Sequence, residues 1–183
     1  RSCDGTGISL PLEFLELEKK IYSVLNEFPL PDIMGKGQWF FKPSTITRLI
    51  AYMYQKQDIE GKSIGCLATP TLAIGLSIFK ELTNINMQIK LLDIDSDILD
   101  LISNMTKNIE LHIYDIENQC PQDLMGTCDN FIFDPLYSTD HYKIGLSRCV
   151  QLIGLNRPDK SGYIVIPPEE IAPLKNIRNG KKV

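Results

Sequence analysis

What this 183-residue chain lacks removes several chemistries at once. It has no C-x-x-C pair. Its five cysteines, Cys3, Cys66, Cys120, Cys128 and Cys149, are odd in number and scattered, which argues against a disulfide framework and against a complete zinc site. Cys66 and Cys149 fall in apolar periodic segments and read as core residues. Only His112 and His141 supply imidazole, at no spacing that supports a metal, so no metal is expected. No G-x-G-x-x-G follows a strand, which speaks against a dinucleotide. Ser44, Ser138 and Ser147 lack the tight turn that exposes a nucleophilic serine. No apolar run approaches about 18 residues and the N-terminus has no signal-peptide core, so no membrane partner is expected and the cytoplasm is the default location. Basic residues are not in excess either, with 19 against 23 acidic and a net charge of −4. An acidic surface repels phosphate backbones and attracts cations, which makes nucleic acid a poor partner and a small cationic amine an acceptable one.

Hydrophobic residues make up 43% of the chain, enough for one ordinary domain. Apolar positions at three- and four-residue intervals predict an amphipathic helix over 12–28, ended by Pro29 and Pro31. A Pro/Gly-rich linker follows, so 1–37 reads as a helix and linker and 38–183 as the main domain. Within it, Trp39-Phe40-Phe41 reads as a wedge packing the linker, or, as the minority reading, a stacking wall for a substrate. A helix opens at Pro43. Strands are expected over 63–67, 89–94, 110–114, 130–134 and 162–166, separated by helices over 71–82, 96–107 and 141–153 and by a long loop over 115–127 with room for one helical turn. Strands alternating with helices mean βαβ crossovers and a parallel sheet, hence a doubly wound α/β fold with an N-terminal helical extension. The 71–82 helix is apolar nearly all round and is expected to be covered on both sides.

The segment Asn130-Phe-Ile-Phe-Asp134-Pro135-Leu-Tyr137 stands out. A β-forming run stops at a proline that cannot extend the ladder, leaving Asp134, the Pro135 carbonyl and the Tyr137 ring at the C-terminal lip of a strand. Ligands of open α/β sheets sit at that lip. Asp93 and Asp115 fall at the ends of two other strands. An acid after the second strand suits the ribose diol of a nucleoside, and one after the third can accept from an adenine amine. Asp95 reads as the cap of the next helix. Each acid alone is as well explained as a cap or turn residue; their convergence is the functional signal. His112 reads as a sheet residue. His141 lies near enough to Asp134 to reach the site, or simply starts a helix. Between the first strand and its helix stands Gly65-Cys-Leu-Ala68-Thr-Pro-Thr71, where Ala68 is the small residue that a ligand backbone contact needs and glycines are few.

These residues resemble a family. Gln38 lies in an aromatic context and Pro43 opens a helix. Asp58-Ile-Glu-Gly-Lys-Ser-Ile leads into a strand, followed by Leu92-Asp-Ile-Asp95 and Tyr114-Asp-Ile-Glu. Pro121-Gln-Asp-Leu-Met-Gly, Phe133-Asp-Pro-Leu-Tyr137 and Gly145-Leu-Ser-Arg148 complete the order. The pattern is similar to the branched-chain polyamine synthases, the N4-bis(aminopropyl)spermidine synthase family, over about residues 3–168. The resemblance implies a class I methyltransferase-like (Rossmann-like) transferase. Its donor would be decarboxylated S-adenosylmethionine or S-adenosylmethionine, and its acceptor a polyamine-like amine. It assigns Asp93 to ribose, Asp115 to adenine, and Asp134, Pro135 and Tyr137 to amine placement, while Ala68 remains a donor-loop candidate from its own size and place. Cys3-Asp-Gly-Thr-Gly7 is similar to the end of a connector after a winged-helix domain, so the sequence is expected to be part of a longer protein. Two departures stand against this pattern: Ala68-Thr-Pro-Thr71 replaces the family's Gly-Asp-Asp-Asp, and Asp-Pro-Leu-Tyr replaces Asp-Pro-Pro-Tyr. Three readings therefore remain open: aminopropyl transfer, N-methyl transfer from S-adenosylmethionine, and a degenerate member kept as a binding module. A homodimer is expected only because dimers are common.

Overall fold

The computed structural model describes residues 12–28, 40–135, 138–154 and 159–165. Helix α1 (Leu12–Leu25) is followed by α2 (Pro43–Gln55), β1 (Ser63–Leu67), α3 (Pro70–Thr83), β2 (Gln88–Asp93) and α4 (Ser96–Met105). Next come β3 (Ile109–Ile113), β4 (Asn130–Phe133), α5 (Thr139–Ile153) and β5 (Ser161–Ile164). The local reasons are those of the sequence. Pro43 and Pro70 open α2 and α3, where a missing N–H costs nothing. Asp95 caps α4 by accepting from Asp97 N at 3.1 Å, as expected of it. Ser138 caps α5 by accepting from His141 N at 3.2 Å. Asn84, at φ 54°, ends α3 in the left-handed conformation that asparagine tolerates.

All four strand pairings are parallel, in the order β3-β2-β1-β4-β5. The chain builds outward from β1 through β2 to β3, then returns to place β4 on the other side of β1. That reversal opens a crevice at the C-terminal ends of β1 and β4, where a ligand of such a sheet is held. The helices cover the two faces unequally. On one face α1, α2, α3 and α4 enclose a large core in which Phe14, Leu17 and Ile21 of α1 meet Ile46, Ile50, Leu76 and Phe79 and the strand residues Ile64, Ile89, Leu91 and Ile132. Helix α1 is thus part of the core that carries the sheet. The first ten residues of α3, Pro70 to Phe79, are all buried, which explains its uniformly apolar sequence.

On the other face α5 packs on β1 and β4 with Leu67, Phe131, Phe133, Cys149 and Leu152. The approach is close enough to demand glycine: a Cβ at Gly145 would lie 2.0 Å from the Phe133 ring, and one at Gly65 would lie 2.3 Å from Leu152 Cδ2. The connection expected over 115–127 as a long loop with room for one helical turn is, with its flanking residues, folded into this second core through Tyr114, Cys120, Leu124 and Cys128. Cys66 and Cys149 are core residues as expected, and burial pushes the Cys66 thiol up to about 12. Thiols this buried are poor nucleophiles. No helix among the described residues is long and apolar enough to cross a membrane.

Candidate functional site

Register fixes what lies side by side at the C-terminal lip. Leu67 pairs with Leu92 on one side and with Phe133 on the other, and Asp93 pairs with Ile113. The ladder runs one step further, because Ala68 N donates to Leu92 O at 2.9 Å and Tyr114 N to Asp93 O at 2.9 Å. The residues that end the strands are therefore, in order across the sheet, Ile113, Asp93, Ala68 and Asp134. With neighbouring strands about 4.8 Å apart, the backbones of Asp93 and Asp134 stand roughly 10 Å apart with Ala68 between them. Asp115 follows two residues beyond the end of β3.

Each acid has a distinct setting. Asp93 is almost fully buried and its Oδ1 accepts from Asp95 N at 2.9 Å, which ties the end of β2 to the cap of α4. Asp115 is half-buried and its Oδ1 accepts from Glu117 N at 2.9 Å, closing a turn in which Asn118 N also donates to Asp115 O at 3.0 Å. Asp134 is half-buried beside a buried Pro135, and burial raises its carboxyl to about 6. Loss of water around the charged form is the cause, and that is how a carboxylate is brought near its useful range as a base. Tyr137 lies outside the described residues.

Ala68 occupies the point where β1 gives way to α3, at φ +53°. This left-handed conformation is costly for alanine and free for glycine, so the turn has the backbone geometry of a glycine loop with alanine in the glycine's place. Helix α3 then begins at Pro70 without a side-chain cap, since the Thr69 hydroxyl does not bond to its first turn. The N-terminus of α3, the positive end of its dipole, thus adjoins Ala68 at the end of β1. Phe41 N donates to the Thr71 hydroxyl at 3.4 Å, so the segment before α2 passes close to this helix end. Phe40 packs edge-on against Phe28 at 5.6 Å and rests on the core, in keeping with a wedge; Trp39 is outside the described residues.

Sequence reading missed two features of this rim. Ile94, which follows Asp93, and Ile113, which pairs with it, expose 59% and 73% of their surface, an apolar pair at the end of two strands. Ile113 is the last residue of β3 and Ile94 lies one residue past β2, and that place at the end of the ladder was the available signal. Second, Arg148 of α5 reaches the turn that carries Asp115, donating to Ile116 O at 3.1 Å. His141, which the sequence reading left either near the site or at a helix start, stands in the first turn of α5, with Nδ1 2.6 Å from Ser138 Oγ and Nε2 4.0 Å from Glu117 Oε1. His112, by contrast, pairs with Glu110 at 2.8 Å on the sheet, as its alternation suggested. Among the described residues no group of three or more His, Cys, Asp or Glu is arranged to hold a metal.

A polar hollow of about 290 Å³ opens at the opposite end of the strands, lined by Lys62, Ser63, Asn86, Gln88 and Asp129 among others. Its backbone donors are largely spent: Gly61 N bonds Asn86 O, Ser63 N bonds Asp129, and Gln88 N bonds Lys62 O. No helix begins there. The lip, with its uncapped helix end, exposed isoleucines and destabilised carboxylate, is the better candidate site.

The family described as branched-chain polyamine synthase A C-terminal domain matches residues 16–178. A protein of Methanocaldococcus jannaschii, uncharacterized protein MJ0675, is 34% identical over 158 residues, covering 84% of this chain and 39% of that protein. The branched-chain polyamine synthase of Thermus thermophilus, solved with N4-aminopropylspermidine and 5′-methylthioadenosine, superposes with a TM-score of 0.76 at 18% identity. The match covers 90% of this chain and 47% of that one. A putative RNA methyltransferase of Pyrococcus horikoshii follows at TM-score 0.65 and 17% identity, covering 93% of this chain and 80% of that one. The chain thus spans less than half the length of the first two relatives. The structural likenesses establish the class I methyltransferase-like fold expected from the sequence.

Proposed function

Since the chain belongs to the branched-chain polyamine synthase A C-terminal domain family, we propose that its strand lip binds an S-adenosylmethionine-type donor and transfers a group to a small cationic amine. Aminopropyl transfer from decarboxylated S-adenosylmethionine to a polyamine-like amine is the favoured form. The observation that carries this reading is the register at the lip, which sets Asp93, Ala68 and Asp134 on three adjacent strands with Asp115 beyond. Asp93 would hold the ribose diol, Asp115 the adenine amine, and the backbone at Ala68 would pass beside the donor. The exposed Ile94 and Ile113 offer the apolar walls that a nucleobase needs. No metal enters this scheme.

The chemistry follows from charge. A polyamine nitrogen is protonated near neutrality, with a pKa of about 10, and cannot attack until it loses that proton. Asp134, raised to about 6 by burial, is stabilised when a cation approaches, so it binds the ammonium form and then takes up its proton. Pro135 and Tyr137 would orient the freed lone pair toward the carbon attached to the sulfonium. A C–N bond forms as the C–S bond breaks, and the electron pair passes to sulfur, which leaves as a neutral thioether.

One observation favours a second reading. Ala68-Thr-Pro-Thr71 stands where the family pattern that the sequence resembles has acids, and the start of α3 beside it has no side-chain cap. An uncapped helix N-terminus suits a carboxylate, which S-adenosylmethionine has and its decarboxylated form lacks. N-methyl transfer would use that donor. Thermal shift separates the readings, since a ligand that binds only the folded chain raises the midpoint with concentration. Aminopropyl transfer requires a rise with the decarboxylated donor and a further rise with spermidine. A rise with S-adenosylmethionine alone would favour methyl transfer, and no response to either donor would leave a binding module without this site.

A further inference from the structure

The turn that carries Asp115 is held by α5. Arg148 Nε donates to Ile116 O at 3.1 Å, and its Nη2 to Glu117 O at 3.4 Å. The same guanidinium steadies itself on Gln151, Nη1 lying 3.4 Å from Oε1, and that oxygen also accepts from Cys120 N at 3.2 Å. Two residues one turn apart on α5 therefore grip both ends of the 116–120 segment. The turn completes the arrangement from within. Glu117 N donates to Asp115 Oδ1 at 2.9 Å and Tyr114 OH to Asn118 O at 2.7 Å. Two consecutive carbonyls directed at one guanidinium fix the peptide planes around residue 117. Those planes aim the Glu117 N–H at Asp115, and they commit only one of its carboxylate oxygens.

We propose that Arg148 is a positioning residue that sets the Asp115 carboxylate for the exocyclic amine of the donor's adenine; the inference rests on the nucleoside reading above. Arginine suits the task because its planar fork presents several N–H groups at fixed angles, whereas a lysine ammonium offers a single mobile point. The segment it holds has no ladder or helix of its own, so without the fork the turn relaxes and the carboxylate is free to leave the base. Arg148 itself touches no reacting atom. Its effect is confined to recognition of a base that carries an amine.

The test is calorimetric binding of 5′-methylthioadenosine and of its 6-oxo inosine analogue. It uses the wild-type chain, Arg148→Ala, Arg148→Lys, Asp115→Ala and the Arg148→Ala/Asp115→Ala pair. Arg148→Ala should weaken the adenine nucleoside about tenfold, the size of one charge-assisted hydrogen bond. The inosine analogue, which has no amine to offer, should change by less than about twofold. In the Asp115→Ala background Arg148→Ala should have no further effect, because the two residues act as one unit. Arg148→Lys should fall between, and it carries the experiment if the alanine variant melts too low to titrate. Equal weakening of both nucleosides, or losses that add across the double variant, would overturn the proposal and leave Arg148 as a packing residue. A wild-type chain that binds neither nucleoside would instead overturn the donor reading, and this inference with it.

Discussion

Replacing Asp134 by asparagine should make the protein more stable at neutral pH, and the direction distinguishes a buried base from a paired carboxylate. The side chain keeps its shape and loses its charge. Burial raises the Asp134 carboxyl from an ordinary value of about 3.9 to about 6. In the folded chain it therefore holds its proton through a window in which the unfolded chain has released it. The unfolded state binds fewer protons there, so stability falls as pH rises from about 4 to about 6. The associated stabilisation is complete below about pH 4 and gone above about pH 6. Two pKa units correspond to about 3 kcal/mol, and the partial exposure of the group reduces that to about 1–2 kcal/mol. Urea unfolding of wild type and Asp134→Asn at pH 4, 5, 6 and 7.5 reads the difference directly. The variant should match wild type at pH 4 and exceed it by about 1–2 kcal/mol at pH 7.5. Spermidine at pH 7.5 should stabilise wild type by restoring a counter-charge and leave the asparagine variant unmoved. A variant less stable than wild type at pH 7.5 would refute the reasoning, because it would mean that the ionised carboxylate already has a partner.

Three further outcomes follow from the same geometry. Ala68→Gly should raise stability by roughly 0.5–1 kcal/mol in urea, because relief of the left-handed strain at φ +53° outweighs the added freedom of the unfolded chain; a loss of stability would show that the Ala68 methyl is needed. Gly145→Ala should lower it by about 1–3 kcal/mol despite the better helix propensity of alanine, since the new Cβ meets the Phe133 ring at 2.0 Å. Pairing it with Phe133→Leu should recover most of the loss, which thermal melts would show. Asp93→Asn keeps an oxygen for Asp95 N and should melt within about 1 kcal/mol of wild type, yet titration with donor should show binding weakened at least tenfold. Unchanged donor binding would remove Asp93 from the ribose.

The parts of this structure that repeat were open to reading from the sequence, and the parts that do not were hidden. Helix α3 announced itself by being apolar on every side, and it is buried along its first ten residues. The Asp134-Pro135 stop marked the end of β4 to within one residue, the strand closing at Phe133 rather than at Asp134, because a proline cannot continue a parallel ladder. Boundaries slipped where a polar residue has two uses. Helix α5 was expected from His141, but Ser138 acts as its cap and brings Thr139 into the first turn. Strand β2 was expected to include Ile94, which the chain turns outward at the rim. The 115–127 stretch has no period at all, so nothing in it foretold that Cys120 and Leu124 would be buried or that Arg148 would reach it from 31 and 32 residues away. Side chain to backbone bonds of that span leave no mark on hydrophobic spacing. The left-handed backbone at Ala68 was equally silent, since the residue usually placed there to signal it is glycine.

The most direct measurement is a crystal structure of this chain with 5′-methylthioadenosine and spermidine bound. The account predicts the ribose hydroxyls on Asp93, the adenine amine on Asp115, the base between Ile94 and Ile113, and a polyamine nitrogen within hydrogen-bond reach of Asp134. Nucleoside in the polar hollow beside Lys62 and Gln88, or a lip closed by its own side chains, would contradict it.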